Sequence, residues 1–223
     1  MKKQELSVIQ LFDLNYTIAA DLLRKKIYPW EILPDIKEFI MAIGTKLPKD
    51  EYETVGDSIF IAKDAKIAQN VAIQGPVIID RQAVIRPYAF IRGNAVIGKG
   101  TVVGNSTELK NVILFDGVQV PHYNYVGDSI LGFRAHLGAG AITSNVKADK
   151  SLVKIHAEDG DVETGLKKVG AILGDYAEIG CNCVLNPGTV IGKNSNVYPL
   201  SSVRGCVGAN CIYKNSGEII TKH

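Results

Sequence analysis

An aliphatic residue returns at every sixth position of this chain. Ile61, Ile67, Ile73, Ile79, Ile85, Ile91, Ile97, Val103 and Leu109 occupy nine consecutive sixth positions. Four residues after each stands Ala65, Val71, Val77, Ala83, Ala89, Ala95, Thr101, Thr107 or Ile113, nearly all small or β-branched. The register returns at Leu173, Ile179, Leu185, Ile191, Val197 and Val203, with Ala177, Cys183, Thr189, Ser195 and Ser201 at the same offset. A helix would scatter these residues around a cylinder, and a flat strand would place apolar residues at alternate positions. A period of six does neither. It specifies an all-β fold, a parallel β-helix built from hexapeptide repeats. Three hexads close one triangular coil, with the aliphatic residue inside the shaft and the small residue inside the corner. Coils stack about 4.8 Å apart, and the open ends need atypical caps. Gly98, Gly104, Gly138, Gly174, Gly180 and Gly192 each follow an aliphatic position. They are expected at corners that turn sharply or take positive φ.

The repeat divides the chain. Residues 1–54 read as an α-helical arm. Ser7 and Gln10 have capping-box spacing, Ile18, Leu22 and Leu23 share a helical face, and Pro34-Asp35 can open a second helix. That helix carries Ile36, Phe39, Ile40 and Ile43 at i, i+3, i+4, i+7, with Gly44 as its C-cap. The arm is expected to pack on the shaft and cover its first coil. Residues 55–210 supply about seven coils, with a register slip around Phe115 to Gly132 and an insertion at about 146–170. Within the insertion, Val153-Lys154-Ile155 and Asp161-Val162-Glu163 flank Glu158-Asp159-Gly160, which predicts a projecting hairpin. Residues 211–223 are a tail.

Composition excludes several functions. A net charge of +2 over 223 residues, with both signs dispersed, offers no basic stripe for nucleic acid. No apolar run spans a bilayer and no signal peptide is visible, so no membrane partner is expected. The four cysteines, Cys181, Cys183, Cys206 and Cys211, lack zinc-finger spacing, and a cytoplasmic protein with reduced thiols follows.

The chemistry lies where the repeat slips. Arg86-Pro87, Gly104-Asn105, Glu108-Leu109-Lys110, His122 to Asp128 and Gly138 to Asn145 follow one another in that order. This stretch resembles the acetyltransferase domain of the bifunctional N-acetylglucosamine-1-phosphate uridyltransferase/glucosamine-1-phosphate acetyltransferase family, and the repeat extends the resemblance to residue 210. The resemblance implies a left-handed β-helix, although parallel crossovers are generally right-handed. It implies acetyl-CoA as co-substrate and a homotrimer with the site between subunits. His122 would be the general base that deprotonates the sugar amine. Arg86 and Lys110 would hold the sugar phosphate, Tyr125 and Asn145 would contact the sugar, and Lys167 or Lys168 would stand for a further family lysine. The backbone at Ala139 would meet the thioester, and Cys181 and Pro199 would line the coenzyme.

Departures put the acceptor in question. His136 stands where the family has a sugar-binding Asn, and Asn145-Val146-Lys147-Ala148 with the insertion replaces the family's Asn-Tyr-Asp-Gly turn. The reaction expected is acetylation of an amino-sugar phosphate, glucosamine 1-phosphate above all. The alternatives are another amino or hydroxy sugar, or a non-catalytic scaffold. Residues 1–54 hold neither the Gly-rich loop nor the length of a uridyltransferase. Zinc between three histidines, as in gamma carbonic anhydrases on the same architecture, would need His122, His136 and His156. Their spacing does not match, so no metal is expected.

Overall fold

The computed structural model describes residues 1–222. From Ile59 onward the chain winds into a left-handed parallel β-helix with three walls. The first wall runs from Ile59–Ala62 to Cys206–Val207, the second from Lys66–Ile67 to Cys211–Tyr213, and the third from Ala72–Ile73 to Ser202–Val203. Among the described residues, eight parallel strands stack on each of the first two walls and seven on the third. The aliphatic hexad residues stack in register along the shaft, as in Ile61 on Ile79 on Ile97.

The slip has a defined origin. The stacking interval is eighteen residues from Ile79 to Ile97, but seventeen from Ile97 to Leu114 and from Leu114 to Leu131. The missing residues come from one corner, between the third and first walls, at Lys110-Asn111 and again at Gly127-Asp128. The slip therefore begins before Phe115. The insertion leaves from the same corner one coil later, after Ile142–Thr143, and rejoins at Ala171–Leu173.

The arm departs from expectation in form and in place. It is mostly 3-10 helix and single turns, ending in one α-helix, Ile36–Gly44, and residues 52–55 form a strand antiparallel to Ile59–Ala62. Pro29 and Pro34 lie five residues apart and prevent a longer α-helix there. Ser7 makes no capping bond; its hydroxyl donates to the Gln4 carbonyl at 3.1 Å. The arm closes the first coil only in part: residues 52–55 cover its first strand, where Phe60 and Ile61 are buried, but inward Ile67 on the second wall stays 37% exposed. It otherwise lies along the first wall. Its last helix packs against Val77–Ile79, Ala95–Ile97 and Glu108–Leu114. Phe12 meets Phe115 (centroids 4.9 Å), Tyr16 stacks on Phe133 (3.7 Å), and buried Asp175 accepts from Asp13 N (2.7 Å), Phe133 N (2.9 Å) and Lys193 Nζ (3.0 Å). The insertion does form a hairpin, Lys154–Ala157 with Gly160–Glu163, but it folds back rather than projecting. Val153 and Ile155 are fully buried, and the hairpin covers the first wall at Thr189–Ile191 and Cys206–Val207. The tail extends the second wall with Cys211–Tyr213 and closes it with antiparallel Ile219–Thr221.

None of the six repeat glycines takes positive φ. They are required by close approach between coils: a Cβ on Gly104 would fall on the Pro121 carbonyl, and one on Gly138 would lie 2.7 Å from Cys181 N. Gly104→Ala is expected to cost about 1–3 kcal/mol or more through overpacking against backbone that cannot yield. Chemical denaturation checks this, and an unchanged midpoint would contradict it.

Candidate functional site

The corner between the second and third walls is a ladder. Its turning residues, among them Tyr88, Ser106, Tyr123, Gly140, Asn182 and Leu200, all adopt left-handed backbone. Tyr88 donates its N–H to the Asn70 carbonyl (3.1 Å), and from Ser106 onward each donates its N–H to the carbonyl of the residue before the turning position in the preceding coil. These bonds are Ser106 to Pro87 (3.3 Å), Tyr123 to Asn105 (2.9 Å), Gly140 to His122 (3.0 Å), Asn182 to Ala139 (2.8 Å) and Leu200 to Cys181 (2.9 Å). His122, Ala139 and Cys181 therefore occupy successive rungs of one line, continued by Pro199. The expected base and the three expected coenzyme residues share an edge about 4.8 Å per rung.

His122 ends the strand Gln119–His122 and is exposed. Its ring has no hydrogen-bond partner among the described residues. Its backbone is fixed from beneath by Asn124, which is 3% exposed. Asn124 Oδ1 accepts from His122 N (3.1 Å), while Asn124 Nδ2 donates to Gly138 O (2.8 Å) and Ala141 O (3.0 Å). Thr107 Oγ1 accepts from Asn124 N (3.3 Å) and donates to Val120 O (3.0 Å). Asn124 was not singled out from the sequence. The signal was there: it stands four residues after Val120, at a position the repeat reserves for a small inward residue. The N–H groups of Gly138 and Gly140 are both taken, but that of Ala139 has no protein acceptor among the described residues.

The third wall leads from this edge to a second cluster. Tyr125 lies half-buried on its outer face and its hydroxyl accepts from Asn145 Nδ2 (3.2 Å). Burial, followed by the Asp128 charge, raises the Tyr125 pKa and keeps the phenol protonated. Asp128, 3% exposed, is the centre of the cluster at the shortened corner. It accepts from Lys110 Nζ (3.2 Å to each oxygen), Asn111 Nδ2 (3.0 Å) and Asn145 Nδ2 (2.5 Å). Asn111 Nδ2 also donates to Leu33 O of the arm (3.2 Å). A small cleft of about 190 Å³ opens here between Pro34, Asn111, Asp128 and Leu166, with exposed Lys167 and Lys168 both at its rim. Three expected contact residues, Lys110, Tyr125 and Asn145, are thus joined through Asp128, and Lys167 stands close by.

Arg86 and His136 fall elsewhere. Arg86 lies at the end of the second wall two coils before Pro121-His122 and has no carboxylate partner among the described residues. His136 is on the outer face of the second wall, its Nδ1 2.8 Å from Glu178 Oε2. It lines a groove of about 340 Å³ with Cys181, Tyr198 and Pro199. His156 belongs to the inserted hairpin and pairs with Asp161 at 2.8 Å. The three histidines are dispersed over an edge, a wall and the hairpin. On one chain, the expected acceptor residues lie on both sides of the His122 edge. Large apolar side chains crowd that edge, with Tyr88, Tyr123 and Leu200 exposed by 62%, 64% and 72%.

The family model described as the GMPPB C-terminal domain matches residues 73–167. The bifunctional protein GlmU of Methanococcus maripaludis is 34% identical over 208 residues, covering 87% of this chain and 48% of that protein. The putative uncharacterized acetyltransferase YaiX of Escherichia coli K12 is 33% identical over 165 residues, covering 74% of this chain and 70% of that protein. The chain spans less than half the length of the bifunctional relatives it matches. Among solved structures, the polySia-specific acetyltransferase NeuO aligns with a TM-score of 0.48 at 15% identity, over 74% of this chain and 87% of that one. No helix among the described residues is long and apolar enough to cross a membrane.

Proposed function

Because the chain belongs to the hexapeptide-repeat acetyltransferases of the GlmU C-terminal type, we propose that it moves the acetyl group of acetyl-CoA onto the amine of an amino-sugar phosphate, glucosamine 1-phosphate first among acceptors. The observation that carries this reading is the single edge bearing His122, Ala139, Cys181 and Pro199 in register. A thioester laid along that edge brings its carbonyl to Ala139, whose free N–H is placed to stabilise an oxyanion. The amine nitrogen attacks the carbonyl carbon, and His122 accepts the proton it sheds. The tetrahedral intermediate then collapses, the C–S bond breaks, and the proton returns to the departing coenzyme A thiolate. Lys110, Tyr125 and Asn145, ordered by Asp128, would face the sugar phosphate, where charge-assisted bonds are strongest.

A homotrimer is part of the proposal. Arg86 and His136 on one side of the edge, and Lys110, Tyr125 and Asn145 on the other, complete one pocket only if a second copy packs along it. Exposed Tyr88, Tyr123 and Leu200 offer the apolar contact such packing requires. With the first wall covered by the arm and hairpin, the second and third walls and their edge remain for this contact.

Thiol release from acetyl-CoA, measured across a panel of amino-sugar phosphates and nucleotide-linked amino sugars, tests the reading. The expected result is turnover with glucosamine 1-phosphate above the other acceptors. A preference for a different amino or hydroxy sugar would follow from His136 and the insertion, and would correct the acceptor while keeping the reaction. Binding of these sugars without thiol release would make the chain a scaffold and overturn the enzyme.

A further inference from the structure

The insertion builds a second cavity that the transfer mechanism leaves unused. A pocket of about 520 Å³ opens between the hairpin and the shaft corner immediately beyond Asn145. Lys147, Lys154 and His156 come from the insertion, and Asn186 and Arg204 from the next two coils. Three permanent cations thus converge on one concave surface that also bears a single carboxylate, Asp149. Their present partners hold them weakly. Lys154 Nζ pairs with Glu163 (2.7 Å), Lys147 Nζ meets Ser151 Oγ (2.6 Å) and Asp149 Oδ2 (3.5 Å), and each carboxylate is more than 60% exposed. Exposed pairs of this kind contribute roughly 0–1 kcal/mol, so a multiply charged anion can recruit the same cations. Arg204 lines the pocket and forms no ion pair among the described residues, and its planar fork matches two phosphate oxygens. His156 uses Nδ1 for Asp161 and leaves Nε2 to donate or accept. The volume falls in the roughly 300–1,000 Å³ range of small-molecule sites and exceeds what one phosphate needs.

We infer that this pocket binds the phosphates of a nucleotide. Two ligands carry that chemistry to this position. One is an acceptor in which the amino sugar is linked to a nucleoside diphosphate, whose sugar would reach back past Asn145. The other is the nucleotide end of coenzyme A, extended across the third wall from Pro199. As an acceptor subsite the pocket rests on the acetyl-transfer reading; as a nucleotide site it is measured by binding alone.

Calorimetric titration of the full chain with UDP and, separately, with coenzyme A makes the test, on wild type, Arg204→Gln, Lys154→Gln and His122→Ala. At least one of the two nucleotides is expected to bind wild type. Both charge-removing variants should weaken that ligand by about tenfold or more, since a charge-assisted hydrogen bond contributes about 1.5–3 kcal/mol. His122→Ala should bind it as wild type does, which separates this site from transfer itself. Loss confined to UDP identifies the acceptor's nucleotide, and loss confined to coenzyme A identifies the coenzyme's end. Wild-type affinity of Arg204→Gln and Lys154→Gln for both nucleotides, or no binding of either by wild type, overturns the proposal.

Discussion

His122→Ala is expected to lower kcat for acetyl transfer by roughly 10²–10⁴-fold, the usual contribution of a positioned general base. The melting temperature should not move. The ring is exposed and makes no hydrogen bond among the described residues, while the backbone beneath it is held by Asn124 rather than by the imidazole. KM for acetyl-CoA should change little, because the coenzyme residues on the same edge are untouched. Thiol release and a thermal melt on the same preparation separate the two effects. Full activity would remove His122 from the mechanism while leaving the fold and the edge in place. A lost melting transition would mean that the residue is structural.

Asp128→Ala should act in the opposite way, on stability first. Removing the carboxylate leaves Lys110, Asn111 and Asn145 without their common acceptor at a site that is 3% exposed. Breaking a buried pair by deleting one partner costs about 3–5 kcal/mol. Lys110 is partly exposed, so the low end of that range applies. At about 2–4 °C per kcal/mol for a chain of this size, the melting temperature should fall by roughly 10 °C. The same cluster ties the shaft to the arm through Asn111 and Leu33, and the Gly170 N–H bonds the Asp128 carbonyl at 2.8 Å where the insertion rejoins. In molecules that remain folded, KM for the acceptor should rise, since Lys110 and Asn145 lose the group that orders them. Asp128→Asn should fall between wild type and Asp128→Ala, because its amide keeps one acceptor oxygen. A melting temperature equal to wild type would show that the three donors find water as readily as they find Asp128.

The shaft was legible in the sequence because its core is written by one residue type at one interval. The covered wall was legible too, in a signal that counting inward residues alone does not reveal. On the first wall the outward residue beside seven of the eight inward aliphatics is also apolar and buried: Phe60, Ile78, Val96, Ile113, Ile130, Ile172 and Val190. The equivalent outward positions on the second wall include Lys66, Gln119, His136 and Glu178. That eighteen-residue alternation means one wall needs an external cover, which the arm and hairpin supply. The hairpin's strands were readable from local β-branched residues, but its docking was not, since Val153 and Ile155 meet partners far along the chain. The Lys110–Asp128 pair was hidden for another reason. The two lie eighteen residues apart, one regular coil, but the coil here has seventeen, so Lys110 stands opposite Gly127 and reaches Asp128 diagonally across the shortened corner. His122 stood out because its neighbours match a known order of motifs; Asn124, which holds its backbone, did not, since its one mark is to be polar in a position reserved for small residues.

The most direct measurement is the position of bound coenzyme A in crystals of the full chain. The coenzyme is expected to run along the corner between the second and third walls, past Pro199 and Cys181. Its sulfur should lie beside Ala139, within reach of His122 directly (about 2.6–3.2 Å for a bonded atom) or through one water. A coenzyme bound elsewhere, with the His122 edge bare or sealed under another part of the protein, would contradict this placement.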